Sequence, residues 1–239
     1  ILKLKSGEGG VSARHIKILL SMGIPMGLQY SITAIGSVIL QTAVNGLGAV
    51  VVAAVTAGSK ISSFCVAVTD ALGATMATYC GQNVGAGKLE RVKEGVRVAT
   101  IIGIIYSAIV FVLMIFIGGE LPKFFIDATK TDVIEKARIF LLWNSGFYFA
   151  LIFVNVWRNS IQGMGFPMFA ILSGVCEMFA RGFIGFVAVP HLGFVAACMA
   201  SPLAWIVADM FLIPGFLYCI NVLREVFREK EIREKFHYE

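Results

Sequence analysis

The chain has 239 residues, a formal net charge of +5, and 15% charged against 58% hydrophobic residues. Its mean hydropathy is +0.83, and a soluble domain carries about 25% charged residues. A soluble core is excluded, and the class is an all-α polytopic membrane protein.

Six apolar runs predict six transmembrane helices, at 14–42, 49–80, 92–117, 137–162, 167–189 and 193–223. Each reaches or exceeds the ~18 residues that suggest a span. The runs of about 30 residues call for tilt or protrusion. Residues 1–13 read as a linker, 14–223 as a six-helix membrane lobe and 224–239 as a charged cytoplasmic tail. Ile1 stands where an initiator methionine would, so the chain is expected to be a piece of something longer or a processed product.

The first span, with the stretch MGIPMGLQYSITAIGSVILQTAVN, has two sides. At about 100° per residue, Gln29, Thr33, Met26, Ser37, Tyr30 and Gln41 fall within about 120° of arc. Ile24, Leu28, Ile32, Ile35 and Ile39 gather on the other side. Unpaired polar groups are costly in lipid, so the polar arc must meet protein or a water-filled cavity. Two readings stand: bonding to a neighbouring helix, or lining a cavity for organic ligands, to which Met and Tyr are suited. Pro25 removes one backbone bond and predicts a bend.

The second span holds Lys60 and Asp70, the latter read as a solvated charge near the membrane boundary. Before the fourth span, residues 130–140 predict a short surface helix with Thr131 as its N-cap. The fourth span carries Asn155 and Arg158 and the fifth carries Ser173, Glu177 and Arg181. The short turn GMGFP joins these two spans. Glu177 lies near mid-depth, Arg181 follows one turn on, and Arg158 reaches toward Glu177 across the turn. Asp209 sits midway along the sixth span. A charge at that depth costs at least about 2.5–3.5 kcal/mol, so each is a candidate for function. A static ion pair that fixes helix packing is the competing reading.

Lys3, Lys5, Arg14 and Lys17 precede the first span; Lys88, Arg91, Lys93 and Arg97 follow the second; the tail adds five more basic residues. The other side has only Lys123, Lys130, Lys136 and Arg138. This bias puts both termini in the cytoplasm, as an even number of spans requires. The five cysteines form no CxxC pair and read as small hydrophobes. There is no HExxH, GxSxG, Walker A or GxGxxG motif, so neither an enzyme nor a metal centre is expected. No basic patch interleaved with aromatics points to nucleic acid.

The segments GIPMGLQYSITAIGSVILQTAVNGLG, VAAVTAGSKI, ALGATMATYCGQNVGAGK, RNSIQGMG, EMFARGF and LGFVAACMASPLAWIVADMF cover most of the chain. In that order they resemble the C-terminal half of a bacterial-type multidrug and toxic compound extrusion (MATE) transporter. The resemblance implies one lobe of a twelve-helix, two-lobed antiporter in the bacterial plasma membrane. Such proteins export organic cations in exchange for H⁺ or Na⁺ by alternating access, with no cofactor. Its partners would be an N-terminal six-helix lobe, the organic cations and the lipid bilayer. The cavity would be lined by Met26, Gln29, Tyr30, Thr33, Ser37 and Gln41. Some branches carry acids on the first and fourth helices of this lobe; here those helices have none, leaving Glu177, with Arg181, Arg158 and Asp209, as the ion-coupling candidates. A lipid-linked sugar flippase of the same superfamily and a non-transporting interaction subunit are the alternatives.

Overall fold

In a computed structural model of the chain, residues 12–236 are described, with side chains to residue 229. The predicted linker therefore lies largely outside the described residues, as does the end of the tail. The long helices are α1 (Ala13–Asn45), α2 (Ala49–Gly85) and α3 (Leu89–Ile117). Next come α4 (Thr131–Gly146), α5 (Tyr148–Gly163) and α6 (Pro167–Phe183). The short α7 (Val189–Leu192) leads into α8 (Phe194–Phe236). Among the described residues, five stretches are long and apolar enough to cross a membrane, and α4 with α5 counts as a sixth when the bent pair is taken as one span.

The fourth span differs from expectation. It starts at Thr131, not near 137, and bends by 49° between α4 and α5. The bend falls after Ser145 and Gly146, a Ser/Gly pair of the kind that kinks helices. The Asn144 side chain donates to the Phe140 carbonyl (2.9 Å) just before it. Residues 131–140 are therefore the first part of α4, packed into the bundle, rather than a separate surface helix. Val133, Ile134, Ala137 and Phe140 are buried, and that burial overrides the charged look of the segment. Thr131 is the first helical residue, not the cap; Lys130 precedes it and no side chain caps the helix. In the loop before α4, Asp127 accepts bonds from the Thr129 amide (3.0 Å) and hydroxyl (2.9 Å). These bonds hold its carboxyl below the usual carboxylate range.

α6 passes through a π-helical turn, Ile184–Ala188, into α7. Pro190 has no N–H to continue the α-helical ladder, which explains the slip in register there. By contrast, α1 runs through Pro25, and α8 through Pro202 and Pro214, as single helices.

α5 is the central rod. Most of its residues are buried, polar ones included, and it packs on α2, α3 and α8. α1 lies chiefly along α6, and α6 in turn packs on α8. Small residues let these axes approach, as membrane helices require in the absence of a hydrophobic drive. A Cβ on Gly36 of α1 would sit 3.0 Å from the Met178 Cα of α6. Gly36→Val is accordingly expected to destabilise the α1–α6 contact by about 1–3 kcal/mol. Detergent-titration unfolding, followed by circular dichroism, measures it.

Candidate functional site

Three polar features converge inside the bundle. The first is an ion triad on the α5–α6 hairpin. Glu177 is 2% exposed, and Arg158 and Arg181 are each 7% exposed at their side chains. Arg158 Nη2 pairs with Glu177 Oε1, and Arg181 Nη2 lies 3.1 Å from Glu177 Oε2. Arg158 Nε donates to Ser173 Oγ at 2.9 Å, and that hydroxyl donates to the Ala170 carbonyl at 2.8 Å. The hairpin positions the set: Glu177 and Arg181 are one helical turn apart, and the tight α5–α6 turn brings Arg158 opposite. The sequence spacing anticipates this arrangement, and both arginines engage the one carboxylate.

Two cations on one anion leave a surplus of positive charge. A further acid, Asp209, lies on α8, which packs on both α5 and α6. Its Oδ1 is buried and has no hydrogen-bond partner.

The second feature was missed by sequence reasoning. Asn155 of α5 donates to Thr69 Oγ1 (2.8 Å) and Asp70 Oδ1 (3.0 Å) of α2. Asp70 is thus bonded to α5 through Asn155 while its side chain remains exposed. Asn155→Ala removes both bonds and is expected to cost about 1–3 kcal/mol, at roughly 0.5–1.5 kcal/mol per bond. The same unfolding titration reads it.

The third is a cavity of about 450 Å³ between α1, α2, α4, α5 and α8. Ser37, Ser59, Ser62, Ser63 and Ser201 line it with Asp70, and Asn144, Tyr148 and Trp205 close its sides. Ser59, Ser63 and Asp70 fall within about 40° on α2, so the arithmetic applied to the first span finds this stripe too. A larger cavity of about 590 Å³, bounded by Ala49, Phe125 and Val133, sits at a loop end away from this network. The Lys60 ammonium lies 6.0 Å from the Phe125 ring centroid.

The predicted arc of α1 divides. Gln29 is buried and packs on α6, where Gly174 leaves room beside its side chain and Thr33 Oγ1. Thr33 is half-buried beside it, and neither residue lines the 450 Å³ cavity. Met26 and Tyr30 are exposed, as are Ser37 and Gln41. Of these, Ser37 borders the cavity.

A family model described as MatE matches residues 25–187. Among curated proteins, the probable multidrug resistance protein YpnP of Bacillus subtilis is 29% identical over 155 residues. That match covers 65% of this chain and 34% of YpnP. The FAD transporter of Shewanella oneidensis is 21% identical over 154 residues, covering 64% of this chain and 34% of its own length. A MOP superfamily transporter from Pyrococcus furiosus superposes with a TM-score of 0.74 at 22% identity. The superposition covers 82% of this chain and 43% of that one. An outward-facing multidrug resistance MATE family transporter gives the same TM-score at 21% identity, covering 82% and 44%. The chain thus spans under half the length of the proteins it matches.

Proposed function

The chain belongs to the MatE family, and from that premise we propose that it forms one six-helix lobe of a two-lobed antiporter exporting organic cations in exchange for H⁺ or Na⁺. The observation that carries this reading is the open flank of α1. Its buried stripe (Gln29, Gly36, Val44) is held against α6, while Met26, Tyr30, Ser37 and Gln41 remain uncovered. In lipid its polar groups have no partner beyond α1 itself, where Ser37 Oγ donates to the Thr33 carbonyl and Gln41 Nε2 to Asn45 Oδ1; a wet cleft shared with a second lobe satisfies the rest of their bonding capacity. Ser37 then links that cleft to the serine-lined cavity, where Asp70 supplies the negative charge an organic cation requires.

In this reading Glu177 is a fixed anion, saturated by two guanidiniums. Asp209 is the acid left to take up a proton or Na⁺, because its carboxylate oxygen is buried without a donor. Loading Asp209 neutralises an acid on α8 and changes the balance of forces between α8 and the α5 and α6 on which it packs.

The test is drug efflux from vesicles holding this lobe together with its partner lobe, under separately imposed H⁺ and Na⁺ gradients. Export follows one of the gradients, and Asp209→Asn flattens that dependence while the protein still inserts. An unchanged ion dependence in Asp209→Asn removes Asp209 from coupling. A second substrate class is favoured by one relative, which is named an FAD transporter; export of FAD in place of organic cations in the same vesicles would establish it.

A further inference from the structure

Remote from the polar interior, a groove of about 490 Å³ forms where the α2–α3 turn meets the last turns of α8. Lys88, Arg91, Arg224 and Arg228 line it, with Leu89 and Phe227 as apolar walls. The four cations are exposed, Leu89 is buried and Phe227 is half-buried. Glu90 is the acid in the lining, and its charge is already met by Lys93 at 2.8 Å and, more distantly, by Arg224 at 3.8 Å. Glu225 and Glu229 share this part of α8 but do not line the groove. No side chain caps the start of α3, which leaves its first-turn amides facing an already cationic site.

One further observation identifies the occupant. Arg91 heads a stripe on α3 that continues through Val98, Ile102, Ile105, Ile109 and Phe116, all within about 40° of it on the helix. Every apolar member is exposed, from 48% at Val98 to 78% at Phe116. Arg91 to Ile105 spans roughly 21 Å at 1.5 Å per residue, a length an acyl chain can cover. A cationic groove at the head of a long bare aliphatic stripe matches a molecule with an anionic head and hydrocarbon tails.

We infer that the Lys88–Arg91–Arg224–Arg228 groove binds the phosphate headgroup of an anionic phospholipid, whose tails lie along the Val98–Ile105 part of the α3 stripe. The site is independent of the transport reading: it requires only that the bundle sits in a bilayer.

The test titrates the detergent-solubilised chain with phosphatidylglycerol or phosphatidylcholine and counts bound lipid by native mass spectrometry. Each cation near an anionic headgroup contributes about fivefold in affinity. The double variant Arg91→Gln/Arg228→Gln should therefore bind phosphatidylglycerol roughly 30-fold more weakly, with phosphatidylcholine unaffected. Lys17→Gln, a basic residue of α1 away from the groove, should leave both affinities unchanged. Arg91→Lys/Arg228→Lys keeps the charge and should retain binding, which guards against loss through misfolding. Binding by the Gln double variant within twofold of wild type would overturn the inference, as would an equal loss in Lys17→Gln. Displacement of the lipid by millimolar inorganic phosphate would assign the groove to a free anion and overturn the lipid.

Discussion

Glu177→Ala is expected to destabilise the bundle by about 3–5 kcal/mol, among the largest single-residue effects in this chain. The reason is asymmetry. With Glu177 present, both guanidiniums have a buried partner; without it, two cations remain in a space of low polarity with Ser173 and the Thr33 carbonyl as their bonding partners. Removing one member of a buried ion set costs far more than the set itself contributes. A triple replacement, Arg158→Met/Glu177→Leu/Arg181→Met, should therefore recover most of the loss. Unfolding in a graded detergent series separates the outcomes. If Glu177→Ala falls within about 0.5 kcal/mol of wild type, the triad is solvated and the site described above does not exist.

Ser37→Trp is expected to cut drug export at least tenfold while changing stability by no more than about 0.5 kcal/mol, the usual range for a surface substitution. Ser37 is exposed on the open flank of α1 and borders the serine-lined cavity. An indole there fills the opening without entering the α1–α6 contact, which is centred on Gly36. Leu28→Trp, on the exposed aliphatic side of the same helix, is the control and should leave export unchanged. Equal losses in both variants would mean that bulk anywhere on α1 disturbs transport, and the opening at Ser37 would lose its special role.

How far these features could be read from the sequence depends on the kind of information each needs. The Arg158–Glu177–Arg181 set was legible because it rests on local geometry: a one-turn spacing and a tight hairpin. The span count was legible for the same reason, since hydropathy and length decide it. The start of α4 was not. Thr131–Glu135 looks like a solvated segment, and only the packing of Val133, Ile134 and Ala137 shows otherwise. The burial of Gln29 was not legible, because a helical wheel treats all polar side chains alike. Which of them turns onto a neighbour depends on whether that neighbour offers space, and here Gly174, far along the chain, provides it. The Asn155–Asp70 link needs the pairing of α2 with α5, which no periodicity within one helix reveals.

The central claim is that one flank of α1 faces water and the other faces lipid. Single cysteines at positions 30, 37 and 41, and at 24, 28 and 35, introduced after replacing the five native cysteines, test it with a membrane-impermeant maleimide in proteoliposomes that hold both lobes. The account predicts labelling at 30, 37 and 41 and protection at 24, 28 and 35. Labelling of the second group with protection of the first would contradict it.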